Sequence, residues 1–220
     1  MDATTAFMSR LQDFIYLAPG IFIGLTFHEF AHAYVAFRLG DSTAKHMGRL
    51  TLNPLAHLDP FGTIMLFLFR FGWAKPVPVD PRNLKNPKRD MLWISAAGPL
   101  MNMFLALISG VLIRIFLATD LAFADPQSSM GIILKMLSLS LQINLILAFF
   151  NLLPIPPLDG SKIFAGILPN RFAHQIYLIE SKGPMILFGI IIFGMITGFH
   201  IIGMVIHPFV NVFFRLFAGI

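Results

Sequence analysis

The sequence has 220 residues, of which 56% are hydrophobic and only 12% are charged, and its mean hydropathy is +0.76. Because a water-soluble domain carries about 25% charged residues, this composition indicates an integral membrane protein. The absence of cysteine excludes disulfides, iron–sulfur clusters and thiolate zinc sites. The net charge is +5, and the Lys and Arg residues lie between apolar runs, which indicates a role in membrane orientation rather than nucleic-acid binding.

Four apolar segments are long enough to cross a membrane, which takes about 20 residues. In chain order they are residues 14–37, 93–113, 131–153 and 184–206. Residues 61–73 are too few to cross, so we predict a re-entrant or surface segment there, and residues 208–220 predict an amphipathic or membrane-embedded tail. The prediction is an all-α polytopic membrane protein, with a single domain over residues 1–220 and no cleaved signal peptide.

Two short segments between the first and second spans have the pattern of a β-hairpin. Residues 48–53 alternate as a strand does, and residues 75–79 are extended with alternating prolines, which fits an edge strand. Such an edge could pair with an unwound substrate by strand addition, or it could be an ordinary cytoplasmic hairpin. Both interpretations are open from the sequence.

The distribution of basic residues predicts the orientation. Residues 38–90 contain nine Lys and Arg, residues 154–183 contain three, and residues 119–130 contain none. The positive-inside rule then places the first two segments in the cytoplasm and the third outside.

The first predicted span contains His28-Glu29-Phe30-Ala31-His32. Residues four apart share a helix face, so the two imidazoles can reach one zinc ion, and Glu29 can accept a proton from a water held there. An ionised side chain near the middle of a span costs about 2.5–3.5 kcal/mol, which favours a functional reason over a buried polar cluster that only joins helices. Gly20 and Gly24 continue the histidine face and predict close approach of a neighbouring helix.

Two histidines and a water leave one tetrahedral position for a nitrogen or oxygen ligand. The candidate is Asp159, in the stretch Asn151-Leu-Leu-Pro-Ile-Pro-Pro-Leu-Asp159-Gly160, whose prolines break the helix at the end of the third span. The first and third spans run in the same direction, so Asp159 reaches the side of the membrane on which His28 and His32 lie. A turn residue or helix cap is the alternative role for Asp159.

These motifs, together with G-P-L-M-N at 98–102, resemble the site-2 protease family of intramembrane zinc metalloproteases over residues 21–162, and residues 48–57 and 72–79 resemble its compact prokaryotic branch. The resemblance implies one zinc ion held by His28, His32 and Asp159. It implies Glu29 as the catalytic acid and base, and Asn151 near the substrate or the oxyanion. The implied activity is hydrolysis of peptide bonds within or beside transmembrane segments of membrane proteins, in the lipid bilayer and with the active site toward the cytoplasm.

Two other functions are open from the sequence, a non-proteolytic metal-binding scaffold for client helices and a zinc hydrolase for other lipid-phase substrates. The presence of Glu29 argues against the scaffold, because a structural zinc site needs no base. Among the other polar residues, Asn102 is predicted to form an interhelical contact, with a catalytic role as the alternative. Ser140 and Asn144 either form such contacts or line a water path with Asn151. His57 is predicted to be solvated or at an interface, with a role near the metal or substrate as the alternative.

Overall fold

The computed structural model describes residues 3–69, 72–119, 125 and 127–220, and this part of the chain is helical without a β-strand. The long helices are α1 (Ala3–Arg38), α5 (Pro87–Leu117), α6 (Ser129–Asn151), α8 (Ala173–Thr197) and α9 (Ile201–Ala218); the short ones are α2 (Thr43–His46), α3 (Pro54–His57), α4 (Pro60–Phe69) and α7 (Asp159–Ile167). All five long helices contain a stretch long and apolar enough to cross a membrane. The prediction of an all-α polytopic membrane protein is confirmed.

Helices α1, α5 and α6 pack on one another and form the centre of the molecule. Small residues of α1 face α6: a methyl group added at Gly20 would lie 3.0 Å from the Cα atom of Ser140, and one at Gly24 would lie 2.9 Å from Oδ1 of Asn144. The close helix approach predicted from the two glycines is therefore confirmed. It brings the polar side chains of α6 against the histidine-bearing helix.

The C-terminal part of the chain differs from its prediction. Residues 184–206 do not form one span, because α8 ends at Thr197 and Gly198 adopts a left-handed conformation with φ of 74°. Most of the predicted tail instead belongs to α9, which contributes Val210 and Ala218 to an apolar core shared with α5 and α6. Arg114 of α5 donates to the carbonyl oxygens of Leu216 and Phe217, and so satisfies the last turn of α9.

The segment predicted to be re-entrant or at the surface consists mainly of α4 (Pro60–Phe69), and residues 70 and 71 lie outside the described chain. The ring of Phe67 in α4 meets that of Phe14 in α1, with centroids 5.3 Å apart. The chain then returns, since Ala74 pairs with Leu58 in an isolated antiparallel bridge. Phe14 lies 15 residues from Glu29, which is about 22 Å along a helix. Helix α4 therefore reaches α1 about 22 Å from the level of Glu29, and the chain is again beside Leu58 at Ala74.

The two predicted strands are wrong. Residues 48–53 form turns and bends, with Gly48 at φ of 69°, and residues 75–79 are extended without a ladder. The physical reason is that Pro76 and Pro78 have no N–H to donate. The side chain of Arg49 provides the connection that a ladder would have made, because it donates to the carbonyl oxygens of Lys75 and Pro76.

Candidate metal site

Three side chains of metal-binding type, two from α1 and one from α7, come together. His28 and His32 lie one turn apart on α1, and Asp159 is the first residue of α7. The Nε2 atoms of the two histidines are 3.0 Å apart, and Oδ2 of Asp159 lies 3.1 Å from Nε2 of His28 and 3.2 Å from that of His32. The structure therefore brings together the two histidines and the aspartate that the sequence predicts as ligands.

The hydrogen bonds at the outer ring nitrogens fix the imidazole tautomers. Nδ1 of His32 donates to the carbonyl oxygen of Ile94 at 2.6 Å. Nδ1 of His28 donates to Oδ1 of Asn102 at 2.6 Å, because the amide nitrogen of Asn102 is already used as a donor to Gly24 and Asn144. Each neutral imidazole has only one N–H, so both Nε2 atoms present lone pairs to the aspartate oxygen. Three acceptors facing one another require a cation between them.

The spacing and the chemistry of these donors fit zinc. Ligands at about 2.0–2.1 Å from a tetrahedral zinc ion are about 3.3 Å from one another, close to the three separations observed. Both histidines are buried, with 5% and 8% of their surfaces exposed. Two imidazole nitrogens and a carboxylate oxygen are also ligand atoms that zinc binds in proteins.

Gly98 makes room for the two imidazoles. It lies on α5, and a methyl group added there would stand 2.5 Å from Nε2 of His32 and 2.6 Å from Nε2 of His28. Ordinary carbon contacts begin near 3.4 Å. Helix α5 thus approaches the ligand atoms so closely that only glycine fits.

Glu29 lines the same cavity as the three candidate ligands. Its Oε2 atom accepts a hydrogen bond of 2.9 Å from the backbone N–H of Val77, in the extended segment that follows α4. The cavity has a volume of about 260 Å³ and is lined by the three candidate ligands, by Glu29 and Asn151, and by residues of the 72–79 segment. The Glu29 carboxylate therefore lies in the cavity of the metal site and is held there by the backbone N–H of Val77.

The remaining predicted residues divide between the cavity and the helix interfaces. Asn151 lines the cavity, and its amide donates to the carbonyl oxygen of Leu147 in its own helix. Ser140 instead accepts a hydrogen bond from Ser109, and Asn144 accepts one from Asn102. Ser140 and Asn144 therefore form interhelical contacts, which was one of the two open interpretations.

Two residues have larger structural roles than the sequence indicated. Asn102, predicted as an interhelical contact or a catalyst, bonds the ring of His28. His57 is not solvated: it is fully buried, and its ring bonds the carbonyl oxygen of Thr51 and faces Arg49. The partners of His32 and Glu29 were missed, because a backbone carbonyl and a backbone N–H leave no mark in the sequence.

Comparison with known protein families identifies the chain. Residues 16–196 match peptidase family M50. The chain belongs to peptidase family M50. This M50 protein is 44% identical over 168 residues to "Putative zinc metalloprotease YwhC" of Bacillus subtilis, which covers 76% of each protein. It is 31% identical to "Putative zinc metalloprotease Rip2" of Mycobacterium tuberculosis, over 82% of this chain and 67% of that protein. No solved structure matches this M50 protein significantly.

Proposed function

We propose that this protein hydrolyses peptide bonds within or beside the transmembrane segments of membrane-protein substrates. Family membership and the relatives' names make it a zinc metalloprotease. The proposal adds the roles of the residues: His28, His32 and Asp159 hold one zinc ion, Glu29 is the acid and base, and Asn151 contacts the substrate. One domain, residues 1–220, carries the activity.

The observation that carries the proposal is the set of three acceptor atoms, two Nε2 and one Oδ2, within 3.2 Å of one another. A structural zinc site is closed by four protein ligands, whereas a catalytic site has three and a free position. Three ligands with a carboxylate beside them therefore support hydrolysis over the metal-binding scaffold. The position of the site next to apolar helices supports a substrate that comes from the bilayer.

The chain's own groups have distinct parts in the reaction. When bound, zinc supplies a Lewis acid that acidifies water and polarises a carbonyl group. Glu29 accepts the proton of the attacking water, at Oε1 because Oε2 is bonded to Val77, and then gives it to the leaving amine. The Asn151 amide at the cavity wall is a donor that can turn from its own helix toward the substrate carbonyl.

A substrate helix must unwind before this site can act on it. Its carbonyl oxygens are occupied by hydrogen bonds from four residues along the chain, so attack on an intact helix is blocked. The cavity of about 260 Å³ admits a short extended segment rather than a helix about 10 Å across. We therefore expect helix-weakening residues near the cleaved bond.

The active site faces the cytoplasm in this proposal. Glu29 is bonded to the 72–79 segment, which belongs to the stretch of residues 38–90 with nine basic residues. The positive-inside rule keeps such a stretch on the cytoplasmic side. Water then reaches the site from the cytoplasm, past the polar residues of this segment.

The test compares the parent protein with two variants, purified in detergent and reconstituted into liposomes with a panel of single-span substrates. Glu29→Gln removes the proposed base and keeps the size of the side chain. Glu180→Gln is the matched control, because Glu180 is the other glutamate in the sequence and is exposed. Zinc content is measured on every sample.

We expect cleavage by the parent and by Glu180→Gln, none by Glu29→Gln, and about one zinc ion per chain in all three. A zinc-loaded parent that cuts no substrate would support the scaffold. Cleavage by Glu29→Gln at the parent's rate would refute the role given to Glu29.

A further inference from the structure

Arg49 is a buried cation to which the proposed mechanism gives no part. Only 6% of its surface is exposed, and its Nε atom is buried without a hydrogen-bond partner. The guanidinium nitrogens donate to the carbonyl oxygens of Lys75, at 2.5 Å, and Pro76, at 3.2 Å. Because burying a charge is costly, a guanidinium that bonds neutral carbonyls needs a further reason for its position.

The reason lies in the peptide group between Pro76 and Val77. Its carbonyl oxygen accepts from Arg49, and its N–H donates to Oε2 of Glu29 at 2.9 Å. A trans peptide is planar with its oxygen and hydrogen on opposite sides, so the cation and the carboxylate bond the two ends of one rigid unit. Each bond polarises the peptide in the sense that strengthens the other.

The segment has few other means of fixing this peptide. Pro76 and Pro78 have no N–H, so Val77 carries the one donor in residues 76–78. Lys75 donates to the backbone oxygen of His57 at 2.8 Å, and the His57 ring is oriented by Thr51. With Nε2 bonded to the carbonyl oxygen of Thr51, Nδ1 is the acceptor that faces Arg49 at 3.5 Å. His57 thus supports Arg49, and Arg49 supports the peptide.

We propose that Arg49 is a positioning residue for Glu29, acting through the Pro76–Val77 peptide. This inference rests on the proposed function, in which Glu29 is the acid and base. Arg49 orients the N–H that holds Oε2, so that Oε1 points into the cavity. Loss of this orientation leaves the three metal ligands in place and impairs only proton transfer.

The test removes the two ends of this connection separately and together. Arg49→Lys keeps the charge but cannot bond two carbonyls in a fork. Val77→Pro removes the backbone N–H that donates a hydrogen bond to Glu29. The matched control is Arg82→Lys, since Arg82 is in the following turn, with 88% of its side chain exposed, and pairs with Asp80. Zinc content, kcat and KM are measured, together with deuterium exchange of peptides that cover residues 75–79.

We expect Arg49→Lys and Val77→Pro each to lower kcat by about 10–100-fold, with KM and zinc content unchanged, because misplacement of a catalytic group by 1 Å costs about 100-fold. Arg49→Lys in the Val77→Pro background should have no further effect on kcat, because both changes act on one connection. Faster exchange of the Val77 amide in Arg49→Lys, and not in Arg82→Lys, is the expected signature that does not depend on activity.

The outcomes separate this inference from the function on which it rests. Additive effects in the double variant, unchanged Val77 exchange, or loss of zinc in Arg49→Lys would overturn the positioning role and leave the metalloprotease intact. A zinc-loaded parent without cleavage activity would refute the proposed function, and the exchange measurement would still decide whether Arg49 holds the Val77 amide. If Arg49→Lys does not fold, full kcat in Val77→Pro overturns the inference, and a loss of kcat with zinc retained supports it.

Discussion

Replacement of Gly98 by alanine tests whether helix α5 sets the geometry of the metal site. The added methyl group would lie 2.5 Å from Nε2 of His32, whereas ordinary contact begins near 3.4 Å. The difference of about 0.9 Å must be absorbed by the imidazoles, by α5 or by both. Because displaced supports of metal ligands cost about 10–100-fold in metal affinity, we expect a loss of that size in zinc affinity and a similar loss in turnover.

The assay is equilibrium dialysis of the purified protein against buffers of graded free zinc, followed by measurement of the metal-to-protein ratio. The control is Gly189→Ala on α8, where an added methyl group meets nothing within 4 Å. Overpacking by one methyl group costs about 1–3 kcal/mol of the free energy of unfolding, so thermal unfolding of Gly98→Ala is followed in parallel. Parent-like zinc affinity in Gly98→Ala would refute the geometry described for the site.

Three further predictions concern zinc and acid. Asn102→Leu leaves Nδ1 of His28 without its acceptor, so zinc affinity should fall by about 10–100-fold in competition with a chelator; an unchanged affinity would contradict the tautomer assigned. A chelator should lower the melting temperature of the parent but not of Asp159→Asn, because a bound ligand stabilises only a protein that holds it. Burial raises the pKa of the Asp41 carboxyl, but four hydrogen bonds, the first from Thr43, outweigh burial and lower this pKa overall. The charged carboxylate therefore stabilises the fold above about pH 4, and this stabilisation is lost as the pH falls further. Asp41→Asn should therefore cost about 1.5–3 kcal/mol of unfolding free energy at pH 7 and less at pH 3, measured by thermal unfolding at both values.

Features that depend on apolar length and on the spacing of charged groups are predicted well from the sequence. The spans that became α1, α5 and α6 are long apolar runs, so their helices begin and end within six residues of the predicted limits, apart from the start of α1 at Ala3. His28 and His32 share a face because four residues make about one turn. The position of Asp159 next to these histidines depends on residues far apart in the sequence, and it was predicted from the direction in which the first and third spans cross the membrane.

The failures arise where backbone groups or single residues decide the structure. Gly198 divides the last apolar stretch into two helices, although hydropathy alone is continuous across it. The strand pattern of residues 48–53 was misleading because the side chain of Arg49 bonds the carbonyls that a neighbouring strand would have used. The support of Glu29 by Val77 depends on a main-chain N–H, and every residue except proline has one.

The separation of the metal ligands along the chain has a consequence for biosynthesis. His28 and Asp159 meet across 131 residues. A ribosome-bound chain that has inserted α1, α5 and even α6 has both histidines and Glu29 but lacks the third ligand. In the proposed enzyme, a partly synthesised chain is therefore inactive, and neighbouring helices that enter the bilayer at the same time are not exposed to its activity. The capacity to hydrolyse begins only when α7 (Asp159–Ile167) is in place.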